Sequence, residues 1–305
     1  METAALSALH EAYGDRIQEN VPLSGFTSAR IGGPADILMV IRSGDELSQV
    51  AQDLWKMEIP FLLFGGGSNV LVSDKGVRGV TLLNRARLVK FNTKTGQPSV
   101  YAESGATLND IAQRAARLAL GGLEWAASVP GSLGGAVFGN SGAFGGEMAG
   151  NIISVEVLHQ QLGRQSWPVD KMEYGYRTSI FKASRQATLI LAATLKLAHG
   201  DPQVIQAKML ANTKRRRATQ PPGASMGSMF KNPPGDKAGR LLEAAGLKGT
   251  RIGNAEISPV HANFFINTEK TRAEDMKALL DLAHKTVFEK FGIRLEPEIV
   301  LVGEW

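Results

Sequence analysis

The alternation of apolar and polar residues along the chain predicts strands interleaved with helices. Short β-branched or aromatic runs mark strands at 37–41, 61–64, 70–72, 80–83, 89–92 and 99–103, and again at 153–159, 188–197, 263–267 and 295–302. Helical periodicity marks a segment opened by the capping box Ser43-Gly-Asp-Glu46 and running to about Met57. A second begins at Thr107-Leu-Asn-Asp110, with Ile111, Ala115, Leu118 and Leu120 on one side, and ends at Gly121-Gly122. Further helices are predicted from Pro202 to about Thr219, over 238–245 before Gly246, and from the capping box Thr271-Arg-Ala-Glu274 to about Phe291. The last carries an apolar stripe of Met276, Leu279, Leu280, Ala283, Val287 and Phe291. Residues 1–24 read as a short helix and a polar lead-in.

Two stretches break this pattern. Residues 123–153 are too rich in glycine for a helix or strand and too apolar for a flexible linker. Glycine permits positive φ and close approach to peptide N–H groups, so a packed, irregular backbone of this kind suits a phosphate or a flat polar ring. The alternative is a glycine-rich turn that serves close backbone packing. Gly65-Gly66-Gly67-Ser68-Asn69 follows a strand and precedes another, so it does not open a helix as a dinucleotide fingerprint does, and Val70 stands where a third glycine belongs. No P-loop sequence occurs. Three successive glycines can still form a nest for a pyrophosphate, or a tight turn.

A length of 305 residues allows about two domains, and Pro221-Pro222-Gly223 marks an approximate boundary. The absence of cysteine excludes disulfides, thiolate catalysis and zinc–thiolate or iron–sulfur sites. No signal peptide and no membrane-length apolar run is visible, which predicts a cytoplasmic protein. The net charge is +5, with one dense basic cluster, Lys214-Arg215-Arg216-Arg217. A single cluster without interleaved aromatics argues for a solvated helical face or a small anionic ligand rather than nucleic acid.

The five histidines show no metal-ligand spacing. His261, just before a strand, suits either a ligand contact or a structural role. Ser228 lacks a nucleophile elbow; beside Lys231 and Asn232 it is a turn hydroxyl or a proton donor. Arg177 and Glu298 are surface ion-pair partners unless a pocket holds them.

The joint order of Arg30-Ile-Gly-Gly-Pro-Ala-Asp36, Gly65-Gly-Gly-Ser-Asn-Val-Leu71, Val129-Pro-Gly-Ser-Leu-Gly-Gly-Ala136, Asn140-Ser-Gly-Ala143, Tyr176-Arg177, Gly227-Ser-Met-Phe-Lys-Asn-Pro233 and Leu295-Glu-Pro-Glu298 closely resembles the UDP-N-acetylenolpyruvoylglucosamine reductase family, in its shorter subtype. The resemblance runs from about residue 22 to the C-terminus. It implies an α+β fold: an FAD-binding module of the vanillyl-alcohol-oxidase type over 25–198, in lobes of about 25–85 and 86–198. A lead-in over 1–24 precedes it, and a C-terminal substrate domain over 199–305 follows, whose last strand, 295–302, can pack back on the FAD domain.

The implied activity is NADPH-dependent reduction, through FAD, of the enolpyruvyl group of a UDP-sugar in peptidoglycan synthesis, by a cytoplasmic monomer without nucleic-acid, membrane or metal partners. The implied catalytic residues are Arg177, the proton donor Ser228, and Glu298. Those implied at the cofactor are Arg30, Gly65, Gly66, Gly67, Ser68, Asn69 and Val70 from the first half, with Pro130, Gly131, Ser132, Gly134, Gly135, Asn140, Gly142, Ala143 and Ile153 from the second. Tyr176, Lys231, Asn232 and His261 are expected at the substrate. Three positions depart from the family pattern: Ser128 replaces a glycine, Gly139 a larger residue and Ser141 an alanine. Rival readings are an FAD oxidase of the same fold and a non-catalytic nucleotide-binding module.

Overall fold

The computed structural model describes residues 3–94, 96–184 and 187–305. The chain divides into two compact units: Met1–Arg16, Met39–Gly66 and Leu82–Arg216 form the first, and Ile17–Leu38, Gly67–Thr81 and Arg217–Trp305 the second. The division falls inside the strands Pro34–Ile41 and Val77–Asn84 and between Gly66 and Gly67. Helices and sheets occur in both units, so the α+β class expected from the sequence holds.

Among its described residues, the first unit carries a five-stranded antiparallel sheet in the order Gly163–Pro168, Ile152–His159, Thr188–Lys196, Ser99–Glu103, Val89–Asn92. Period-two alternation sets which face is buried: Val155 and Val157 are fully buried while the alternating Ser154 and Glu156 are not. The inner face packs on the helix Leu108–Arg117 through Leu108, Ile111, Ala112 and Ala115. That helix ends a turn sooner than the apolar pattern predicts. Leu118 is its cap and stands 47% exposed, and Leu120 belongs to the short strand Leu120–Gly121.

The glycine-rich stretch does contain a helix, Leu133–Gly139, contrary to the sequence reading. Isolated glycine-containing helices of this length are unstable, so tertiary fit must supply the stability. Ser132 caps the helix, its hydroxyl accepting from the Gly135 N–H at 3.3 Å. Gly134 lies against Ser104 so closely that a Cβ would stand 2.9 Å from the serine Cβ. Leu133, Ala136 and Val137 are buried in the same core as the sheet.

Among the described residues of the second unit, a four-stranded antiparallel sheet runs Ala224–Ser228, Phe264–Asn267, Ala255–Ile257, Arg251–Ile252. The helix Ala273–Phe291 contributes Met276, Leu279, Leu280, Ala283 and Val287 to its core. Phe291, assigned to the same stripe by the sequence, is 39% exposed. The predicted final strand is regular only over Val300–Val302, which pairs in parallel with Val70–Val72. Gln18–Pro22, read as polar lead-in, is a strand antiparallel to the start of Pro34–Ile41 (Gln18↔Leu38, Pro22↔Pro34).

The capping box expected at Thr271 is not used. Thr271 Oγ1 donates to the Asn254 carbonyl at 2.7 Å, and the side chain of the N-cap residue Arg272 makes no capping bond, donating instead to the Glu274 carboxylate at 2.7 Å. The carboxylate of Asp74 takes that place, accepting from the Ala273 N–H at 2.9 Å and the Glu274 N–H at 3.0 Å. An anion on the first free N–H groups also complements the helix dipole. Asp74→Ala is therefore expected to lower the unfolding free energy by ~1–2 kcal/mol, read as a shifted urea midpoint, with Asp74→Asn intermediate. An unchanged midpoint in both would show that water serves this helix end equally well.

Candidate active site

Both glycine-rich runs singled out in the sequence meet within the first unit. A Cβ on Gly66 would lie 2.8 Å from Gly131 Cα, and one on Gly65 would lie 2.5 Å from Ser132 Oγ. Gly131 also has a φ of 107°, a region that L side chains rarely adopt. Only bare backbone can cross here. The crossing is tied to its surroundings by the Gly131 carbonyl, which accepts from Leu108 N–H at 3.2 Å, and by Gly134 N–H, which donates to Ser104 O at 2.8 Å. Arg85 braces the first run, its Nη1 donating to Gly65 O at 3.1 Å; burial and then the Arg87 cation lower its pKa.

Among the described residues of this unit, four polar side-chain atoms are buried with no hydrogen-bond partner: Ser128 Oγ, Tyr174 Oη, Thr188 Oγ1 and Arg216 Nε. Burial raises the pKa of Tyr174 and lowers that of Arg216. The Arg216 guanidinium lies 6.0 Å from the Phe144 ring centre, above the turn Gly142–Glu147. Unsatisfied buried donors and acceptors cost stability unless something occupies the space beside them. A backbone cradle in which side chains do not fit, together with orphaned polar atoms, suits a flat polar nucleotide cofactor.

Arg177 sits in the left-handed region, with a φ of 56°, a conformation that costs a non-glycine residue about 1–3 kcal/mol. Its guanidinium donates to Gly142 O at 2.7 Å and lies 5.1 Å from the ring centre of Tyr176, which is 50% exposed. A cation is thus fixed on the loop that carries Gly142 and Ala143. Ile153 is 41% exposed at the start of its strand.

In the second unit, Ser228 ends an irregular strand just after Gly227, whose φ is 79°. The neighbouring Met229 carbonyl accepts from the Glu298 N–H at 2.8 Å, Phe230 and Pro297 form a β-bridge, and Lys231 N–H donates to Glu296 O at 2.8 Å. The segment bearing Ser228 and that bearing Glu298 therefore lie side by side. Asn69 joins them, its Nδ2 donating to Glu298 O at 3.1 Å and its carbonyl accepting from Val300 N–H at 3.0 Å. Lys231 Nζ pairs with the Glu296 carboxylate, and Asn232 Oδ1 accepts from Ala238 N–H at 3.0 Å. Gly67 O accepts from Ser28 N–H at 2.9 Å, near Arg30, itself left-handed with φ 55°. Ser68 is half-buried, and Val70 pairs with Val300.

His261 has the environment of a structural histidine. Its Nδ1 accepts from Asn263 N–H at 3.2 Å and its ring meets Phe264 edge-on at 5.0 Å. Burial, the largest effect, and the Lys248 cation lower its pKa from 6.5.

Sequence reasoning missed Asn263 and Lys182. Asn263 is 3% exposed and grips the Phe230 peptide from both ends, accepting from its N–H at 2.9 Å and donating to its carbonyl at 2.8 Å. Lys182 Nζ donates to the carbonyl of Arg177 at 3.0 Å. A lone asparagine before a strand and a lone lysine in a four-residue helix carry no periodic signal. A cavity of about 440 Å³ in the first unit, lined by Gln97, Trp125, Glu147, Asn151 and Lys196 among others, contains none of the sequence-predicted residues. Among the described residues, no helix is long and apolar enough to cross a membrane, and no group of three or more His, Asp or Glu could hold a metal.

Residues 35–165 match the FAD binding domain family, and the chain is an FAD-binding oxidoreductase. Residues 218–302 match the family described as UDP-N-acetylenolpyruvoylglucosamine reductase, C-terminal domain. A UDP-N-acetylenolpyruvoylglucosamine reductase of Chloroflexus aggregans is 40% identical over 94% of this chain and 97% of its own. One from Caldanaerobacter subterraneus is 41% identical over 93% of each. The crystal structure of the Thermus caldophilus enzyme of that name superposes with a TM-score of 0.80 at 33% identity, covering 94% of this chain and 99% of the other. The chain belongs to the UDP-N-acetylenolpyruvoylglucosamine reductase family.

Two outcomes follow from this geometry. Ser128→Ala is expected to stabilise the flavin-free protein by ~1 kcal/mol, since it removes an unpaired buried hydroxyl, and to weaken flavin binding in a fluorescence titration; tighter binding would assign the hydroxyl no part in the cradle. His261 is held neutral in the fold, so the unfolded chain binds the extra proton. Its contribution is fully present above about pH 6.5 and is lost as pH falls from there towards the lower folded value. His261→Gln should flatten the decline of the urea midpoint between about pH 7 and 5. An equally steep decline in the variant would place the titrating group elsewhere.

Proposed function

We propose that the protein reduces the enolpyruvyl ether of a UDP-N-acetylglucosamine to the corresponding lactyl ether, with NADPH as reductant, in peptidoglycan synthesis. The observation that supports this reading is Arg177, a cation tethered to the Gly142 carbonyl on the glycine-rich stretch. Bound FAD supplies the hydride relay between the nicotinamide and the alkene carbon distal to the carboxylate.

The protein's own groups handle charge and proton. As hydride reaches the distal carbon, negative charge moves onto the carboxylate in its enolate form, and Arg177 stabilises it where it appears. The Ser228 hydroxyl then gives its proton to the carbon next to the carboxylate and regains one from solvent. Balance is one alkene, one hydride and one proton in, one saturated ether out. Glu298, on the segment paired beside Met229, orients this exchange. Gly65, Gly66, Gly131 and Ser132 hold the diphosphate and ring system by backbone. Tyr176, Lys231 and Asn232 serve the UDP-sugar, and the net charge of +5 suits two anionic ligands. The reading carries with it a cytoplasmic monomer acting on soluble nucleotides.

The purified protein should be yellow, absorbing near ~450 nm as flavins do, and should bleach on anaerobic addition of NADPH and regain colour on addition of the enolpyruvyl substrate. Ser228→Ala should bleach normally and fail to regain colour with substrate. Loss of both half-reactions in that variant would contradict its role as proton donor, and rapid return of colour with oxygen alone in the native protein would favour an oxidase.

A further inference from the structure

Arg177 occupies a conformation that its own backbone does not favour, so something must hold it there. Its carbonyl accepts from Lys182 Nζ at 3.0 Å, from a helix that begins three residues later at Ile180. The same ammonium lies 5.8 Å from the ring centre of Phe138, on the helix Leu133–Gly139. On the other side of the turn, Asn140 Nδ2 donates to Gly175 O at 3.0 Å while its Oδ1 accepts from Ala149 N–H at 3.0 Å. Asn140 is 1% exposed and left-handed itself, with a φ of 45°. The turn between these two anchors is closed by reciprocal Gly175–Thr178 backbone bonds of 3.3 Å each, and Ser179 Oγ donates to Phe138 O at 2.6 Å.

We infer that Asn140 and Lys182 are positioning residues that fix the backbone of Arg177, and with it the direction of its guanidinium towards Gly142 O. Asn140 holds the turn before Arg177 and Lys182 the peptide after it. Both are anchored on the helix Leu133–Gly139 or its cap, so the cation and the cradle move as one piece. Phe138 is engaged twice over, through its ring by Lys182 and through its carbonyl by Ser179. A group that develops charge only during reaction is best served by a donor already aimed. Neither residue needs to touch a ligand for this. The inference rests on the reading of Arg177 as the cation that meets the substrate carboxylate.

The test uses the flavin-loaded protein in anaerobic stopped-flow with NADPH and then the enolpyruvyl substrate. Lys182→Met removes the ammonium, and Asn140→Asp keeps the shape while setting an oxygen against Gly175 O. Both are expected to slow re-oxidation by substrate by about tenfold to a hundredfold; in Lys182→Met, whose side chain is outside the expected flavin contacts, flavin reduction by NADPH stays within about twofold of native and the flavin spectrum is unchanged. Lys182→Arg should restore most of the lost rate. Where Asn140→Asp fails to fold, Lys182→Met and its arginine rescue decide alone. Native re-oxidation in Lys182→Met overturns the inference, as does equal slowing of both half-reactions, which would mark a merely structural role. Arg177→Gln separates the two levels. If it also re-oxidises at the native rate, the reading of Arg177 itself fails; if it is slow while Lys182→Met is native, only the positioning inference fails.

Discussion

Two stretches of bare main chain crossing at Gly66 and Gly131 set the terms for the rest of the first unit. With a would-be Cβ at 2.8 Å from the opposing Cα, no residue larger than glycine fits without displacing one of the runs. The contact also fixes the start of the helix Leu133–Gly139, because Ser132, which caps it, lies against Gly65. From that helix the arrangement passes to Asn140 and Arg177. A steric constraint between peptides thus fixes the placement of a charged side chain more than a hundred residues from the first glycine run.

The second unit solves a different problem with polar side chains. The segment Gly227–Lys231 leaves the regular ladder after Ser228, and its peptides would lose partners in a buried setting. Asn263 replaces the missing strand bonds for Phe230, while the Glu298 N–H and the Glu296 carbonyl serve Met229 and Lys231. Buried amide groups cost about 1–3 kcal/mol each when unpaired, so these bonds are a condition of having irregular backbone there at all.

Much of the fold was legible in the sequence where local signals and tertiary demands agree. The strands 61–64, 70–72, 89–92 and 99–103 fall where apolar alternation places them. The helix within the glycine-rich stretch was not legible, because its stability comes from fit against Ser104 and the sheet rather than from propensity. The cap of the helix Ala273–Phe291 was misread for a related reason: Thr271 has the right spelling, but Asp74, some two hundred residues away, reaches the helix end first. At the site, the motif order disclosed the family, and Arg177, Ser228 and Glu298 were visible as motif members. Lys182 and Asn263 act through side-chain bonds to backbone that leave no periodic pattern to read. The departure at Gly139 has a simple physical reading, since a Cβ there would meet nothing within 4 Å.

The parallel pairing of Val70–Val72 with Val300–Val302 has a bearing on how the chain reaches its native state. Hydrogen bonds from Ser73 N–H to Val302 O and from Glu304 N–H to Gly76 O extend the same seam. An early segment therefore waits, with an open strand edge, until its partner strand Val300–Val302 has been made. Such high contact order slows assembly and leaves a sticky edge exposed in the meantime. Among its described residues the first unit borrows no strand from so late in the chain and can collapse earlier in synthesis, whereas closure of the second waits for Val300–Val302.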